Sequence, residues 1–256
     1  MLVDDNFKSI VTGVWWGRTL YQNIQRFLQF QLTVNVVALI CAFFGPLLGV
    51  PLPLTVVQLL WINIIMDTFA AIALSMEPPR AGSMRRKPIP RDASIITPSM
   101  GVSILLNSVY QVAILFLALY GGWFLVDPAH QFTFYEDARA PENLEALTVF
   151  FTIFVMFQFW HKFNCRSLKS DESPFSLLHK NRMFLVIVGT ITLGQIVMVQ
   201  ASEYFEIGKI FRTVALGWMQ WVQIALLTAT IIPVAWLIRL AIRQMGLEEE
   251  AHSETS

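Results

Sequence analysis

The run Gln58-Leu59-Leu60-Trp61-Ile62-Asn63-Ile64-Ile65-Met66-Asp67 places one carboxylate inside an otherwise apolar segment. The run belongs to a hydrophobic stretch, residues 55–75, that is long enough to cross a membrane, because a span needs about 20 mostly apolar residues. A carboxylate at membrane depth costs roughly 2.5–3.5 kcal/mol on insertion scales, so Asp67 needs a partner or a function. Asn63 lies one helical turn before Asp67, so the two side chains should share a helix face.

A carboxylate and an amide oxygen on one face are hard oxygen ligands, the type that calcium prefers. Asn63 and Asp67 therefore predict a cation site within a bundle of membrane helices. The alternative is a buried Asp67 that only hydrogen-bonds to neighbouring helices. A site with one carboxylate and neither Cys nor His disfavours zinc and copper.

Composition indicates a membrane protein. The chain has 256 residues, of which 55% are hydrophobic and only 14% are charged, whereas a soluble domain is usually about 25% charged. Six stretches have the length and apolar character of a membrane span. We therefore expect an all-α membrane protein with six transmembrane helices, whose spans are residues 27–48, 55–75, 102–125, 147–164, 183–201 and 214–238.

The first span should continue a preceding helix. Residues 6–26 contain no helix breaker of the proline type and carry apolar residues at helical spacing. Together with the first span they predict one rod of about 40 residues, roughly 60 Å long at 1.5 Å per residue. A membrane crossing needs only about half of that length, so the rest should project as a cytoplasmic stalk. The chain thus divides into residues 1–26, a six-span membrane domain 27–240, and a polar tail 241–256.

Proline and glycine residues between the first two spans predict a tight turn. Gly45-Pro46 ends the first span, and Val50-Pro51-Leu52-Pro53 forms the turn, so the two spans should run antiparallel. Asn35, Asn63 and Asp67 lie at similar distances from this turn along the chain. All three could therefore converge if their helix faces point to the bundle interior.

Charge distribution predicts the orientation. If the spans alternate, all but three of the 18 Lys and Arg fall on one side of the membrane, the exceptions being Arg139, Lys209 and Arg212. The positive-inside rule then places both termini in the cytoplasm and the acidic loop 126–146 outside. No basic patch with interleaved aromatic residues suggests nucleic acid, so the lipid bilayer is the expected partner.

Cysteine and histidine point to no metal centre or disulfide framework. Cys41 and Cys165 are expected to be free thiols, since no Cys-x-x-Cys pair exists. The four histidines are scattered over loops, span ends and tail, where we expect them to be interfacial or solvated. The glutamines within spans, Gln158 and Gln195, are expected to form interhelical hydrogen bonds, and Pro233 is expected to kink the last span.

Several motifs resemble a known family. The segments 4–7 (Asp-Asp-Asn-Phe), 9–11 (Ser-Ile-Val), Gly17-Arg18 and Tyr21 are similar to the end of the phosphorylation domain and the stalk helix of a P-type ATPase. Residues 27–38 resemble the fifth membrane span of plasma-membrane-type calcium pumps. Residues 58–68, followed by Glu77-Pro78-Pro79, resemble the sixth span, and residues 155–158 and 163–166 resemble the eighth span and its cytoplasmic end. The resemblance covers about residues 3–240.

The resemblance implies ion ligands at Asn35, Asn63 and Asp67. Ala38 and Met66 stand where the sarcoplasmic-reticulum-type calcium pumps have Glu and Thr, so two oxygen ligands of one of their two sites are missing. The plasma-membrane type shares these changes, which implies a single transported calcium. The chain also lacks a long calmodulin-binding tail, which fits a bacterial or otherwise unregulated relative.

Other parts of such a pump are not found in this sequence. The phosphorylated Asp-Lys-Thr-Gly-Thr motif, the nucleotide and actuator domains and the first four spans are absent. We therefore expect the C-terminal half of an ATP-driven calcium pump, not catalytic by itself, in a plasma or bacterial inner membrane. ATP and magnesium would act only through the N-terminal part of the pump. The alternatives are a passive, channel-like ion-binding subunit and an inactive truncated fragment.

The predicted orientation can be tested by single-cysteine labelling from outside, with Cys41 and Cys165 replaced by Ala. We expect a membrane-impermeant maleimide to modify Ala138→Cys in the acidic loop. Ser83→Cys and Ser170→Cys, in the two basic loops, should react only after the membrane is permeabilised. Labelling of Ser83→Cys in intact cells would contradict the assignment.

Overall fold

The computed structural model describes residues 7–50, 53–79, 84, 88–90, 93–121, 143–168, 173–176, 178, 181–203 and 207–247. These residues form helices, turns and irregular segments, and no strand occurs among them. Six helical segments are long and apolar enough to cross a membrane by length and composition. The predicted class, an all-α fold with six membrane helices, is confirmed.

The first helix, α1, is a single rod of 41 residues, Phe7–Leu47. At 1.5 Å per residue it is about 60 Å long, as the sequence predicted for a span joined to a preceding helix. Its internal hydroxyl groups are satisfied within the helix. Thr19 and Thr33 each donate to the carbonyl oxygen four residues earlier, at 2.8 Å. A buried threonine therefore does not interrupt the rod.

A close backbone approach follows α1. The amide of Val50 donates to the carbonyl oxygen of Gly45 at 2.8 Å, and Gly49 takes a φ of 82°. A Cβ at Gly45 would lie 2.6 Å from Cδ of Pro53. Glycine is therefore required at position 45. The second span follows, and its C-terminal part packs against α1.

The second span is not one regular helix. It consists of α2 (Val56–Trp61), a π-helix (Ile62–Asp67) and α3 (Thr68–Ser75). Thr55 caps α2 through a capping box: its hydroxyl accepts from the amide of Gln58, and the Gln58 side chain accepts from the amide of Thr55. The sequence predicted a continuous α-helix here, and the π-helix is a correction to that prediction.

The remaining spans surround α5. This helix contacts α1, α4, α6, α8 and α9, and residues 148–158 are all buried. A helix that is buried on every face forms the centre of a bundle. The bounds are Pro98–Gly121 for α4, Leu144–Cys165 for α5, Arg182–Gln200 for α6, Ile207–Phe211 for α7, Trp218–Ala229 for α8 and Ile231–Gln244 for α9.

Proline breaks the last span. Because Pro233 has no amide hydrogen, it cannot donate to the carbonyl of Ala229, the last residue of α8. The chain continues as α9 from Ile231, so the span is two helices joined at Thr230. The division lies three residues before Pro233, and the kink expected there stays a prediction.

The centre of the bundle should be sensitive to lost volume. Phe154 on α5 is fully buried, whereas Phe43 on α1 is 64% exposed. Phe154→Ala leaves a cavity, and we expect it to lower the free energy of unfolding by about 2 kcal/mol or more. Phe43→Ala, at a position outside the packed core, should change it by less than about 0.5 kcal/mol. Thermal unfolding of the detergent-solubilised chain measures both, and equal losses would contradict a core centred on α5.

Candidate cation site

The structure places two of the three predicted ligands on exposed helix faces. Asn35 lies on α1 beside the buried Val34 and Val37, but its own side chain is exposed. Asn63 is the second residue of the π-helix and is also exposed. Asp67 ends the π-helix, and its side chain lies outside the described residues. Convergence of the three groups inside the bundle stays a prediction.

The side-chain amide of neither Asn35 nor Asn63 has a hydrogen bond to another described residue. Both belong to helices that are long and apolar enough to cross a membrane. An amide moved into an apolar environment without a partner costs roughly 2–7 kcal/mol, depending on the reference state. Each of these two amides therefore needs a polar partner beyond the described residues.

The π-helix contains two of the three predicted ligands. Its bonds run between residues five apart, so the regular ladder of the helix is interrupted at both of its junctions. The amide of Ile62 already points at two carbonyl oxygens, those of Gln58 and Leu59. π-Helical turns are rare overall, but those that occur are frequently found at functional sites. Asn63 and Asp67 both belong to this turn, so the irregular backbone coincides with the predicted ligands.

Side chains from other helices fix the segment before the π-helix. The indole nitrogen of Trp61 donates to Oε1 of Gln195 on α6 at 3.1 Å. A Cβ at Gly194 would lie 3.8 Å from the indole ring, an ordinary van der Waals contact. Gln58 donates to the carbonyl of Phe211 on α7 at 2.9 Å. The interhelical hydrogen bond predicted for Gln195 is thus confirmed, and α2 is anchored to α6 and α7.

Gln158 also makes its predicted interhelical bond. Its amide nitrogen donates to Oε1 of Gln111 on α4 at 2.9 Å, and both side chains are buried. Gln158 joins two helices, which supports a packing role.

The far end of the second span contains a buried ion pair that the sequence analysis missed. Nε of Arg166 donates to Oε1 of Glu77 at 2.5 Å, and both side chains are at most 1% exposed. The charge distribution counts Arg166 only among the positive residues on one side of the membrane. The only signal was a glutamate directly before Pro78-Pro79, and nothing in the sequence connects it to an arginine 89 residues later.

The surroundings of His161 differ from the prediction of an interfacial or solvated side chain. His161 is 1% exposed and not solvated, because it stacks on Phe30, with ring centroids 6.1 Å apart. Its Nε2 lies 3.3 Å from Sγ of Cys165. Cys41 and Cys165 are free and buried, as predicted. Among the described side chains, no three His, Cys, Asp or Glu are grouped so that they could hold a metal ion.

Comparison with known proteins identifies the family. Residues 51–241 match the family described as "Cation transporting ATPase, C-terminus". The chain belongs to this family. It is a multi-pass membrane protein by its six apolar helices, and the resemblance drawn from its motifs is confirmed.

Three relatives illustrate the extent of the match. The rice protein "Calcium-transporting ATPase 7, plasma membrane-type" is 39% identical over 93% of this chain and 21% of its own length. The human "Plasma membrane calcium-transporting ATPase 3" is 42% identical over 86% of this chain and 18% of its own. The Arabidopsis thaliana "Calcium-transporting ATPase 9, plasma membrane-type" is 42% identical over 86% and 19%. The chain thus spans about a fifth of the length of these relatives.

Proposed function

We propose that this chain is the C-terminal membrane half of an ATP-driven calcium pump and that Asn35, Asn63 and Asp67 contribute ligands to a single calcium site. The observation that carries the proposal is the pair of carboxamides without hydrogen-bond partners on adjacent apolar spans, one of them in a π-helix that ends at Asp67. The family match and the names of the relatives support calcium as the transported ion.

The ligand count supports a site that other groups complete. Calcium takes 6–8 oxygen ligands. Asp67 can supply two oxygens, and Asn35 and Asn63 one each. The remaining oxygens must come from backbone carbonyls, water or another part of the protein. Because Asn35 and Asn63 are exposed in this chain, the first four spans of the pump are the partner that we propose to cover this face.

One calcium per cycle follows from the residues beside the ligands. Ala38 lies one helical turn after Asn35 and carries no oxygen, and Met66 precedes Asp67 with a thioether. A thioether is a soft ligand that calcium does not favour. The second site of the two-site pumps therefore lacks two of its oxygen donors here.

ATP would be bound and hydrolysed by the N-terminal part of the pump. This sequence contains no Asp-Lys-Thr-Gly-Thr motif to accept the phosphoryl group. The nucleotide, actuator and phosphorylation domains would use ATP and magnesium, and the stalk, residues 7–26 of α1, would connect them to the ion site. We propose that both termini are cytoplasmic, in a plasma or bacterial inner membrane.

The purified chain alone should be inactive. With no phosphoryl acceptor motif, it should form no acyl-phosphate from ATP and show no calcium-stimulated hydrolysis. Calcium should bind weakly, because part of the oxygen shell is missing. Incubation with radiolabelled ATP followed by acid-stable phosphoprotein analysis measures the first point. Turnover by the pure chain would overturn the assignment of catalysis to the N-terminal part.

The decisive variant is Asp67→Asn in the complete pump. It keeps the size and one oxygen but removes the carboxylate, which is the strongest electrostatic partner of a divalent cation at low dielectric. We expect loss of calcium uptake into vesicles, with folding largely intact. Asn35→Ala and Asn63→Ala should each raise the calcium concentration needed for half-maximal uptake.

Asn107→Ala is the matched control for the two asparagine variants. Asn107 is buried on α4 and donates to the carbonyl of Ser103 at 2.7 Å, so its loss should lower stability without changing calcium dependence. If Asp67→Asn transports calcium normally, Asp67 is a buried structural acid and the proposed site is wrong. If Asn107→Ala shifts calcium dependence as much as Asn35→Ala does, the exposed amides have no special role.

A further inference from the structure

The second span ends against a side chain of α1. The last carbonyl groups of a helix have no partner within that helix, and here the following residues, Pro78 and Pro79, supply no amide hydrogen. Nδ2 of Asn23 donates to the carbonyl oxygens of Ser75 at 2.9 Å and of Glu77 at 3.1 Å. Asn23 is 3% exposed. One side chain of the rod α1 therefore caps the helix that carries the candidate ion ligands.

A neighbouring arginine fixes the direction in which Asn23 points. Nη1 of Arg26 donates to Oδ1 of Asn23 at 2.6 Å. Since the carbonyl oxygen of the Asn23 amide is occupied by a donor, its NH₂ group must face Ser75 and Glu77. Both Asn23 and Arg26 lie on α1, so the cap moves with that helix.

The carboxylate of Glu77 is held from two other helices. Arg166 follows α5 and donates twice, from Nε at 2.5 Å and from Nη2 at 3.2 Å. Asn181 caps α6, where its Oδ1 accepts from the amide of Phe184 at 2.9 Å, and its Nδ2 donates to Glu77 at 3.0 Å. The side chain of Glu77 is thus fixed to α5 and α6, while its backbone carbonyl is bonded to α1.

Arg166 is itself held in place. It donates to the carbonyl oxygens of Pro174 at 2.8 Å and Ser176 at 2.9 Å, and its guanidinium lies 4.9 Å from the centre of the Phe184 ring. All four hydrogen bonds, including the two to Glu77, are made by a side chain with no exposed surface. Such a side chain cannot follow a movement of α1, so it provides a fixed point.

The second span is therefore fastened at both ends, and the π-helix lies between the two fastenings. Trp61 bonds to Gln195 before it, and Glu77 bonds to Arg166 after it. A shift of α1 acts on the carbonyls of Ser75 and Glu77, while the Glu77 carboxylate stays in place. A displacement of these two carbonyls must then be taken up in α3 and the π-helix, since they lie between the two fastened ends. Packed helices make such a change by switching between discrete arrangements.

We propose that Glu77 and Asn23 are positioning residues for ion transport. Glu77 anchors the end of the second span, which carries Asn63 and Asp67, to α5 and α6. Asn23 transmits a movement of α1 to that end through its two hydrogen bonds. The proposal rests on the proposed function, since it assigns the two residues to the site of Asn63 and Asp67. A purely structural ion pair is the alternative.

Asn23→Leu tests the link in the complete pump. It removes both hydrogen bonds to the second span at nearly constant side-chain volume. We expect the calcium concentration for half-maximal phosphorylation by ATP to rise about 2- to 30-fold, the range of a coupling of 0.5–2 kcal/mol. The matched control is Thr19→Val, one turn earlier, because the Thr19 hydroxyl is buried but bonds only within α1. A structural role would lower the maximal phosphoenzyme level and leave the half-maximal concentration unchanged, which would overturn the proposal.

A double variant tests the anchor even where single variants fold poorly. Glu77→Gln and Arg166→Met alone each leave a buried charge without its partner, so both should lower the melting temperature. Together they remove both charges, and the melting temperature should recover in part, since no buried charge is left without its partner. The half-maximal calcium concentration of the double variant should stay raised because the anchor is lost. Its return to the unsubstituted value would refute the role of Glu77.

A measurement on the chain itself separates this proposal from the proposed function. Amide hydrogen exchange of the detergent-solubilised chain should be faster in α3 for Asn23→Leu than for Thr19→Val. If the unsubstituted complete pump neither binds nor transports calcium, the proposed function fails, whereas the exchange experiment still reports on the link. Equal exchange in α3 for the two variants would overturn the link whatever the pump transports.

Discussion

A carboxylate and a guanidinium buried together at the end of the second span hold three parts of this bundle in one arrangement. Burying two charges is expensive, and the cost is offset only when the geometry is good and further hydrogen bonds satisfy the remaining atoms. Arg166 meets this condition through two bonds to Glu77 and two to backbone carbonyls. Removing one partner of such a pair costs about 3–5 kcal/mol. The relative positions of α3, α5 and α6 therefore depend on this pair.

Buried and exposed asparagines in this chain have different surroundings, and the difference supports the proposed site. Asn23 donates to carbonyls of the second span, and Asn164 donates to the carbonyl of Ile231 at 3.2 Å. Asn35 and Asn63 are exposed, and their side chains have no hydrogen bond to another described residue. In an apolar bundle the first kind of amide holds helices together, whereas the second kind needs a partner that the described residues do not supply.

Much of the fold follows from local patterns in the sequence. Apolar length predicts the six spans, and the lack of a proline between residues 7 and 45 predicts the rod. Pro233 predicts an irregularity in the last span, which the structure divides at Thr230. The π-helix could not be predicted, because its residues suit an ordinary α-helix. The burial of Glu77 and His161 depends on Arg166 and Phe30, which are distant in sequence. For the site, the sequence identifies candidate oxygen donors but not the face on which they lie.

The distribution of rigidity follows from these contacts. The central helix α5 is packed on every side, so it has no room to move without opening cavities. In the second span the side chains of Asn63 and Ile64 are exposed, and the span is fastened at Trp61 and Glu77. Between these two contacts a π-helix replaces the regular α-helix. We therefore expect the segment that carries the candidate ligands to change shape more easily than α5, within the limits that its two fastened ends set.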